Sequence, residues 1–143
     1  MLLGEHEHTI DDKGRLTLPA KFRAPFAAGI VLTRGMDGCL AAYTREDWNR
    51  LRKEFASLDP LSRDGRWMRR FFFSGASESE LDRQGRVMIP PALAKHARLQ
   101  REVVVAGVED HVEIWDRGTW NEQLQEIEGS AEDVAERLAA TRH

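Results

Sequence analysis

Two short segments combine residue types able to grip the edge of a nucleic-acid base: Asp11-Asp-Lys-Gly-Arg15 and Asp82-Arg-Gln-Gly-Arg86. In each, an arginine directly follows a glycine turn, and a carboxylate stands four residues before it. An arginine held on a rigid, protruding hairpin offers a planar fork that matches the O6 and N7 acceptors of guanine. Lys13 and Arg83, close by, would neutralise phosphates and fix position without reading sequence. A competing reading is structural: Asp11 and Asp82 cap the turns, while Arg15 and Arg86 form surface ion pairs of little energetic weight. The double occurrence favours DNA contact, since duplicated core residues have a packing reason and a duplicated exposed arginine has a less obvious one. The candidate DNA-binding set is therefore Asp11, Lys13, Gly14 and Arg15 with Asp82, Arg83, Gly85 and Arg86. Arg15, beside Lys13, is the stronger single candidate.

Other chemistry-bearing residues form no comparable set. His6 and His8 alternate with Glu5 and Glu7 on one strand, so both imidazoles share a face and could reach one ion. Their counterparts in the second copy are Ser77 and Ser79, and no further Cys or His pair completes a ligand set. A solvent-facing strand without metal is the expectation. The carboxylates lie on loops or in the C-terminal tail, without a Ser or His partner in a catalytic arrangement. Neither a phosphate-binding glycine loop nor a nucleophile elbow is present, so no enzyme and no cofactor are expected. Cys39 is the single cysteine, which excludes an intramolecular disulfide and suits a small buried hydrophobe.

The two arginine loops belong to an internal duplication. At an offset of 71, Gly4 meets Gly75, Glu7 meets Glu78, Asp11 meets Asp82, Gly14 meets Gly85, Arg15 meets Arg86 and Pro19 meets Pro90. After one inserted residue, Gly35 meets Gly107, Tyr43 meets Trp115, Arg45 meets Arg117, and Trp48 meets Trp120. An ordered series that keeps Gly, Pro and Trp in place marks a repeat architecture. The implied units are 1–57, a helical connector 58–74, 75–128, and an acidic helical tail 129–143.

Each copy reads alike, which makes the chain α+β. A strand (Glu5–Ile10 or Ala76–Leu81) enters a tight turn where Gly14 or Gly85 supplies the positive φ. An alternating strand follows, Arg15-Leu-Thr-Leu or Arg86-Val-Met-Ile. Pro19 and Pro90 end it and open a helix, Ala20–Ala27 or Pro91–Ala97. A second hairpin comes next, turning near Met36-Asp37-Gly38 or Glu109-Asp110, and a helix closes each copy, Arg45–Ala56 and Arg117–Ile127. In the connector, Asp59 is a candidate N-cap with Pro60 in the first turn, and Trp67, Phe71 and Phe72 share an apolar face. Spacing and duplication place Tyr43, Trp48, Trp115 and Trp120 in the core, and Trp67 is read with them. Arg63, Arg66, Arg69 and Arg70 cover the rest of that helix, where phosphate contact and a solvated or subunit-facing surface both stay open. A capping-box-like Ser130-Ala-Glu-Asp133 starts a separate short helix reaching about Thr141.

Charge distribution reconciles this with an acidic polymer as partner. The 143 residues carry −3 overall, but 109–143 holds ten acids against three bases, leaving +4 on the remainder. Local charge sets the field a phosphate backbone meets. A hydrophobic content of 41% is enough for a buried interior, and no apolar run approaches a membrane span. Without a signal-peptide pattern at the N-terminus, a cytoplasmic protein is expected.

The run from Gly4 through Asp11-Asp-Lys-Gly-Arg-Leu-Thr-Leu-Pro to Arg23, the Asp59-Pro to Ala76 segment and Leu81-Asp-Arg-Gln-Gly-Arg-Val-Met-Ile-Pro90 closely resemble the bacterial MraZ proteins. The likeness extends to about Trp120. It implies an AbrB-like fold in which two β-hairpin repeats interlock as a swapped-hairpin barrel, one chain supplying both halves. It also implies a homo-oligomer, a ring in this family. The Asp-x-x-x-Arg motif matched by Asp11–Arg15 and Asp82–Arg86 is associated with binding double-stranded DNA. The expected role is a nucleoid-associated regulator of transcription at the promoter of the division and cell wall gene cluster, upstream of its own gene, reading short G-rich direct repeats. Departures between copies, Lys13 against Gln84 and Asp12 against Arg83, imply that the loops need not contribute equally. From another class, the alternative is an oligomeric adaptor whose hairpins bind a protein partner.

Overall fold

In the computed structural model, which describes residues 1–142, the first copy supplies β1 (Leu2–Thr9), β2 (Arg15–Thr17), α1 (Ala20–Arg23), β3 (Ile30–Arg34), β4 (Leu40–Thr44) and α2 (Arg45–Ala56). Helix α3 (Arg63–Ser74) leads to the second copy: β5 (Ser77–Ser79), β6 (Arg86–Met88), α4 (Pro91–His96), β7 (Glu102–Glu109), β8 (Val112–Asp116) and α5 (Arg117–Ala140). The α+β class and the twofold order of elements agree with the sequence.

Strand pairing crosses between the copies. Six strands form one sheet in the order β1-β7-β8-β4-β3-β5, and β2 pairs with β6 in a separate two-stranded ribbon. Strand β1 runs antiparallel to β7 over its whole length, from Leu2 opposite Glu109 to Thr9 opposite Glu102. Strand β5 pairs with β3 of the first copy, and β4 pairs with β8. The copies interlock as expected of swapped hairpins. Strands β1 and β2 do not form the continuous hairpin that the sequence predicts. They share a single bridge, Ile10 with Leu16, next to the turn.

Period-two alternation then sorts side chains to the two faces of the sheet. Ile30, Leu32, Leu40, Ala42, Val103, Val105 and Ile114 point inward, onto Leu16, Leu18, Val87 and Ile89 of the ribbon and Phe22, Phe26 and Leu93 of the α1 and α4 segments. On the opposite face, Val31, Ala41 and Tyr43 meet Trp48 of α2, while Val104, Ala106 and Trp115 meet Trp120 of α5. Tyr43–Trp48 and Trp115–Trp120, with ring centroids 5.9 Å and 5.7 Å apart, are the duplicated aromatics packed as core. The sheet thus separates the arginine ribbon from the layer made by α2, α3 and α5. Thr44 and Asp116 cap α2 and α5 at matched positions.

Several boundaries differ from the sequence reading for identifiable reasons. Helix α1 stops at Arg23, not Ala27, because Pro25 has no N–H to continue the ladder; only i→i−3 turns follow, such as Phe26 N to Arg23 O at 3.2 Å. Strand β5 is confined to Ser77–Ser79, opposite the three residues of β3 that it meets. Ser62, not Asp59, caps α3, since the Asp59 carboxylate already accepts the Leu61 N–H in a preceding turn. Trp67 lies on the outside of α3, 53% exposed, under the Arg63 guanidinium at 4.4 Å, and does not join the core. The last helix runs unbroken through Gly129 to Ala140, so Ser130 does not start a new one. One interior glycine costs about 1 kcal/mol relative to alanine, too little to break a helix flanked by strong formers. Of the tail unit 129–143, His143 lies outside the described residues.

Candidate nucleic-acid interface

Each arginine loop is closed by its own aspartate. The Asp11 Oδ1 accepts the backbone N–H groups of Lys13 and Arg15, both at 2.9 Å, and the Asp82 Oδ1 accepts those of Gln84 and Arg86 at the same distances. Gly14 and Gly85 sit at φ +79 and +75, the left-handed conformation the turn requires. The second carboxylate oxygen accepts from the arginine side chain, Arg15 Nε to Asp11 Oδ2 at 2.8 Å and Arg86 Nε to Asp82 Oδ2 at 2.7 Å. The structural reading therefore holds: the aspartates cap the turns and pair with the arginines. The pairing uses Nε alone. Among the described residues, the terminal guanidinium nitrogens of Arg15 and Arg86 have no hydrogen-bond partner.

These bonds also fix the charge state. The Arg15 backbone N–H, then the Arg15 side chain and the Lys13 N–H, hold the Asp11 carboxyl below its ordinary pKa; Arg86 and Gln84 do the same for Asp82. Because both pKa values are depressed in the folded chain, the stabilisation is present above the ordinary carboxylate range and is lost only as pH falls through the lowered values. The clamp is intact at neutral pH.

The ribbon places the two loops side by side. In its register Arg15 faces Met88, Leu16 faces Val87, and Thr17 faces Arg86. Leu16 and Val87 are buried, so Arg15, Thr17, Arg86 and Met88 share the opposite, outward face. Each loop is tied to the other copy: Leu18 N–H donates to Gly85 O and Ile89 N–H donates to Gly14 O, both at 2.9 Å. Thr17 and Met88 are not among the sequence candidates, although each stands two residues after its loop arginine and so shares its face. Lys13 and Arg83 are exposed at the loop tips. Gly85 is covered, with Arg23 lying across it and donating from Nε to Leu18 O at 3.1 Å, so its contribution is turn geometry.

The histidines play no part here. His6 and His8 lean toward the inner side of β1, half-buried and not solvent-facing, and the His6 ring meets Phe22 edge-on at 5.4 Å. No group of three or more His, Cys, Asp or Glu side chains arranged to hold a metal occurs among the described residues. Burial pushes the Cys39 thiol pKa far up, which makes it unreactive.

Comparison with known proteins accounts for the doubled architecture. The sequence profile of the family described as "MraZ protein, putative antitoxin-like" matches twice, over residues 1–70 and 72–142. The chain belongs to the MraZ family. It is also 47% identical over 138 residues to the transcriptional regulator MraZ of Moorella thermoacetica, covering 96% of both chains. The two MraZ matches meet within α3, so the ribbon takes one strand from each.

The carboxylate clamp can be separated from the turn by changing Asp11 and Asp82 to Asn. An amide oxygen still accepts the two backbone N–H groups, but the negative charge that faces the arginine Nε is gone. The melting temperature should move little. Affinity for G-rich direct repeats should fall several-fold relative to scrambled DNA, which gains from the lost negative charge. Competition binding with the two duplexes measures this ratio; an unchanged ratio would mean that the clamp does not position the arginines.

Proposed function

We propose that this chain is a sequence-specific DNA-binding regulator of transcription, not an enzyme, and that the outer face of the β2–β6 ribbon reads the DNA. The observation that carries the reading is the pair of arginines on that face, each held through Nε by an aspartate, with its terminal nitrogens unpartnered among the described residues. The major groove of B-DNA admits a two-stranded ribbon, and a guanidinium fork bonds guanine O6 and N7. Diagonal neighbours in such a ladder are roughly 7–8 Å apart, about two base steps, which suits nearby guanines in one G-rich site. Lys13 and Arg83 take the flanking phosphates.

The regulated site is the promoter of the division and cell wall gene cluster, upstream of the protein's own gene, and the protein associates there with the nucleoid. A homo-oligomer, in ring form, repeats the ribbon so that neighbouring copies engage successive direct repeats. Each contact is weak alone, and effective concentration multiplies them. The acidic α5 carries the compensating negative charge away from the basic loops.

A gel-shift titration of the full chain with G-rich direct repeats and with scrambled DNA, at two salt concentrations, tests this. The specific duplex should bind at least tenfold tighter, and both affinities should fall steeply with salt as counterions are released. Equal, weak binding to both would turn the reading toward the hairpins docking a protein partner.

A further inference from the structure

The two arginine loops are built alike but supported unequally. About a point between Leu16 and Val87, the ribbon register maps Arg15 onto Arg86 and Thr17 onto Met88. The copies also exchange equivalent backbone bonds, Leu18 N–H to Gly85 O and Ile89 N–H to Gly14 O. The match ends at the short helices that follow. Arg23 closes α1, whereas the residue at the corresponding position of α4 is Ala94.

Arg23 reaches the second loop. Its Nε donates to Leu18 O at 3.1 Å, and its Cδ lies 2.6 Å from where a Cβ on Gly85 would stand. The Leu18 peptide therefore joins the two: its N–H holds Gly85 O while its carbonyl holds Arg23. Gly85 is buried under this side chain, although Asp82, Arg83 and Gln84 just before it are exposed. The first loop has no such cover. Gly14 is only half-buried, and the nearest atoms to a Cβ there would be Met88 Sδ at 3.5 Å and Ile89 O at 3.8 Å. Ala94 packs against the core and has no polar atom with which to bond Ile89 O as Arg23 bonds Leu18 O. Charge follows the same asymmetry. The two acids and two bases of Asp11–Arg15 cancel, whereas Asp82–Arg86 has one acid and two bases, with Arg23 beside it, a net +2.

We propose that Arg23 is a positioning residue for Arg86, and that the braced second loop is the dominant reader of the pair. The inference rests on the reading of the ribbon as the DNA surface. A loop already fixed in its binding geometry loses less freedom when it binds, so the Arg86 fork engages at a lower ordering cost than the Arg15 fork. Lys13 ranks the first loop higher in the sequence; the contact from α1 reverses that order. Unequal loops also give the pseudo-symmetric ribbon a direction along the duplex.

The brace is tested first without DNA, by amide hydrogen exchange at the two matched bonds of the full chain. Arg23→Ala should speed exchange of the Leu18 N–H roughly tenfold or more, while the Ile89 N–H keeps its rate. Equal change at both amides, or none at either, would overturn the brace. Binding to G-rich direct repeats and to scrambled DNA then assigns the role. Arg23→Ala should weaken specific binding about tenfold, and again beside Arg15→Ala, but less than about twofold beside Arg86→Ala, because coupled residues do not add. A phosphate contact made by Arg23 itself would instead weaken both duplexes alike and lower the slope of log affinity against log salt by about one. That result would overturn the proposal, as would Arg15→Ala costing more specific affinity than Arg86→Ala. Should Arg15→Ala and Arg86→Ala together leave affinity unchanged, the DNA reading falls and this inference with it. Should they abolish specific binding while Arg23 couples to neither, only this inference falls.

Discussion

Arg15→Ala combined with Arg86→Ala should reduce affinity for G-rich direct repeats by a hundredfold or more while leaving the fold intact. A bidentate arginine–guanine contact discriminates by about 1–3 kcal/mol, so one substitution removes roughly one to two orders of magnitude and the second repeats the loss. The side chains are 28% and 26% exposed, but the buried members of the ribbon are Leu16 and Val87, which the substitutions leave in place. Thermal unfolding should shift by only a few degrees. Arg→Lys at the same sites is the sharper control. It keeps the charge and loses the planar fork, so salt-dependent binding to any DNA should persist while preference for the G-rich repeat collapses. Comparing the single variants ranks the loops, which share one hydrogen-bond pattern but differ at Lys13 against Gln84 and Asp12 against Arg83. Unchanged promoter affinity in the double alanine variant, with a normal circular dichroism spectrum, would rule the ribbon out as the reading surface.

Where side-chain type and the repeat together constrained the answer, the chain was legible. The Tyr43/Trp115 and Trp48/Trp120 pairs became two matched packing clusters, and the glycine turns took the left-handed conformation their position demanded. What stayed hidden was chiefly long-range. Alternation shows which residues share a face, but nothing in β1 names β7 as its partner, and the ribbon exists only once β2 and β6 meet. The outward face shared by Arg15, Thr17, Arg86 and Met88 is therefore a tertiary fact. Local competition explains other differences: Asp59 is spent on the Leu61 turn, and Pro25 cuts α1 short. Helical spacing marks Trp67 as part of an apolar stripe without saying whether the chain itself will cover it, and it does not.

Gly35 and Gly107 correspond in the two copies, and the structure gives their identity a steric reason that spacing alone did not. A Cβ on Gly35 would lie 2.6 Å from Cys39 Sγ, and one on Gly107 would lie 2.6 Å from the backbone C of Leu2 and N of Leu3. Backbone in a paired strand has nowhere to go. Gly107→Ala should therefore push β1 from β7, with a cost of about 3 kcal/mol, at the upper end of ordinary overpacking. For a domain of this length that lowers the melting temperature by on the order of 10 °C. The damage should reach function, because β1 delivers the chain to the first arginine loop through the Ile10 N–H bond to Arg101 O at 2.8 Å. Gly129→Ala is the same substitution with the opposite sign expected. Among the described residues nothing beyond its own helix backbone and chain neighbours lies within 4 Å of a Cβ placed there, the residue is inside α5, and alanine should stabilise by roughly 0.5–1 kcal/mol. Differential scanning calorimetry of the two variants reads both signs. A neutral Gly107→Ala would mean that β1 is not held against β7 as closely as the register requires, and the first loop would then lack the rigid support on which its arginine depends.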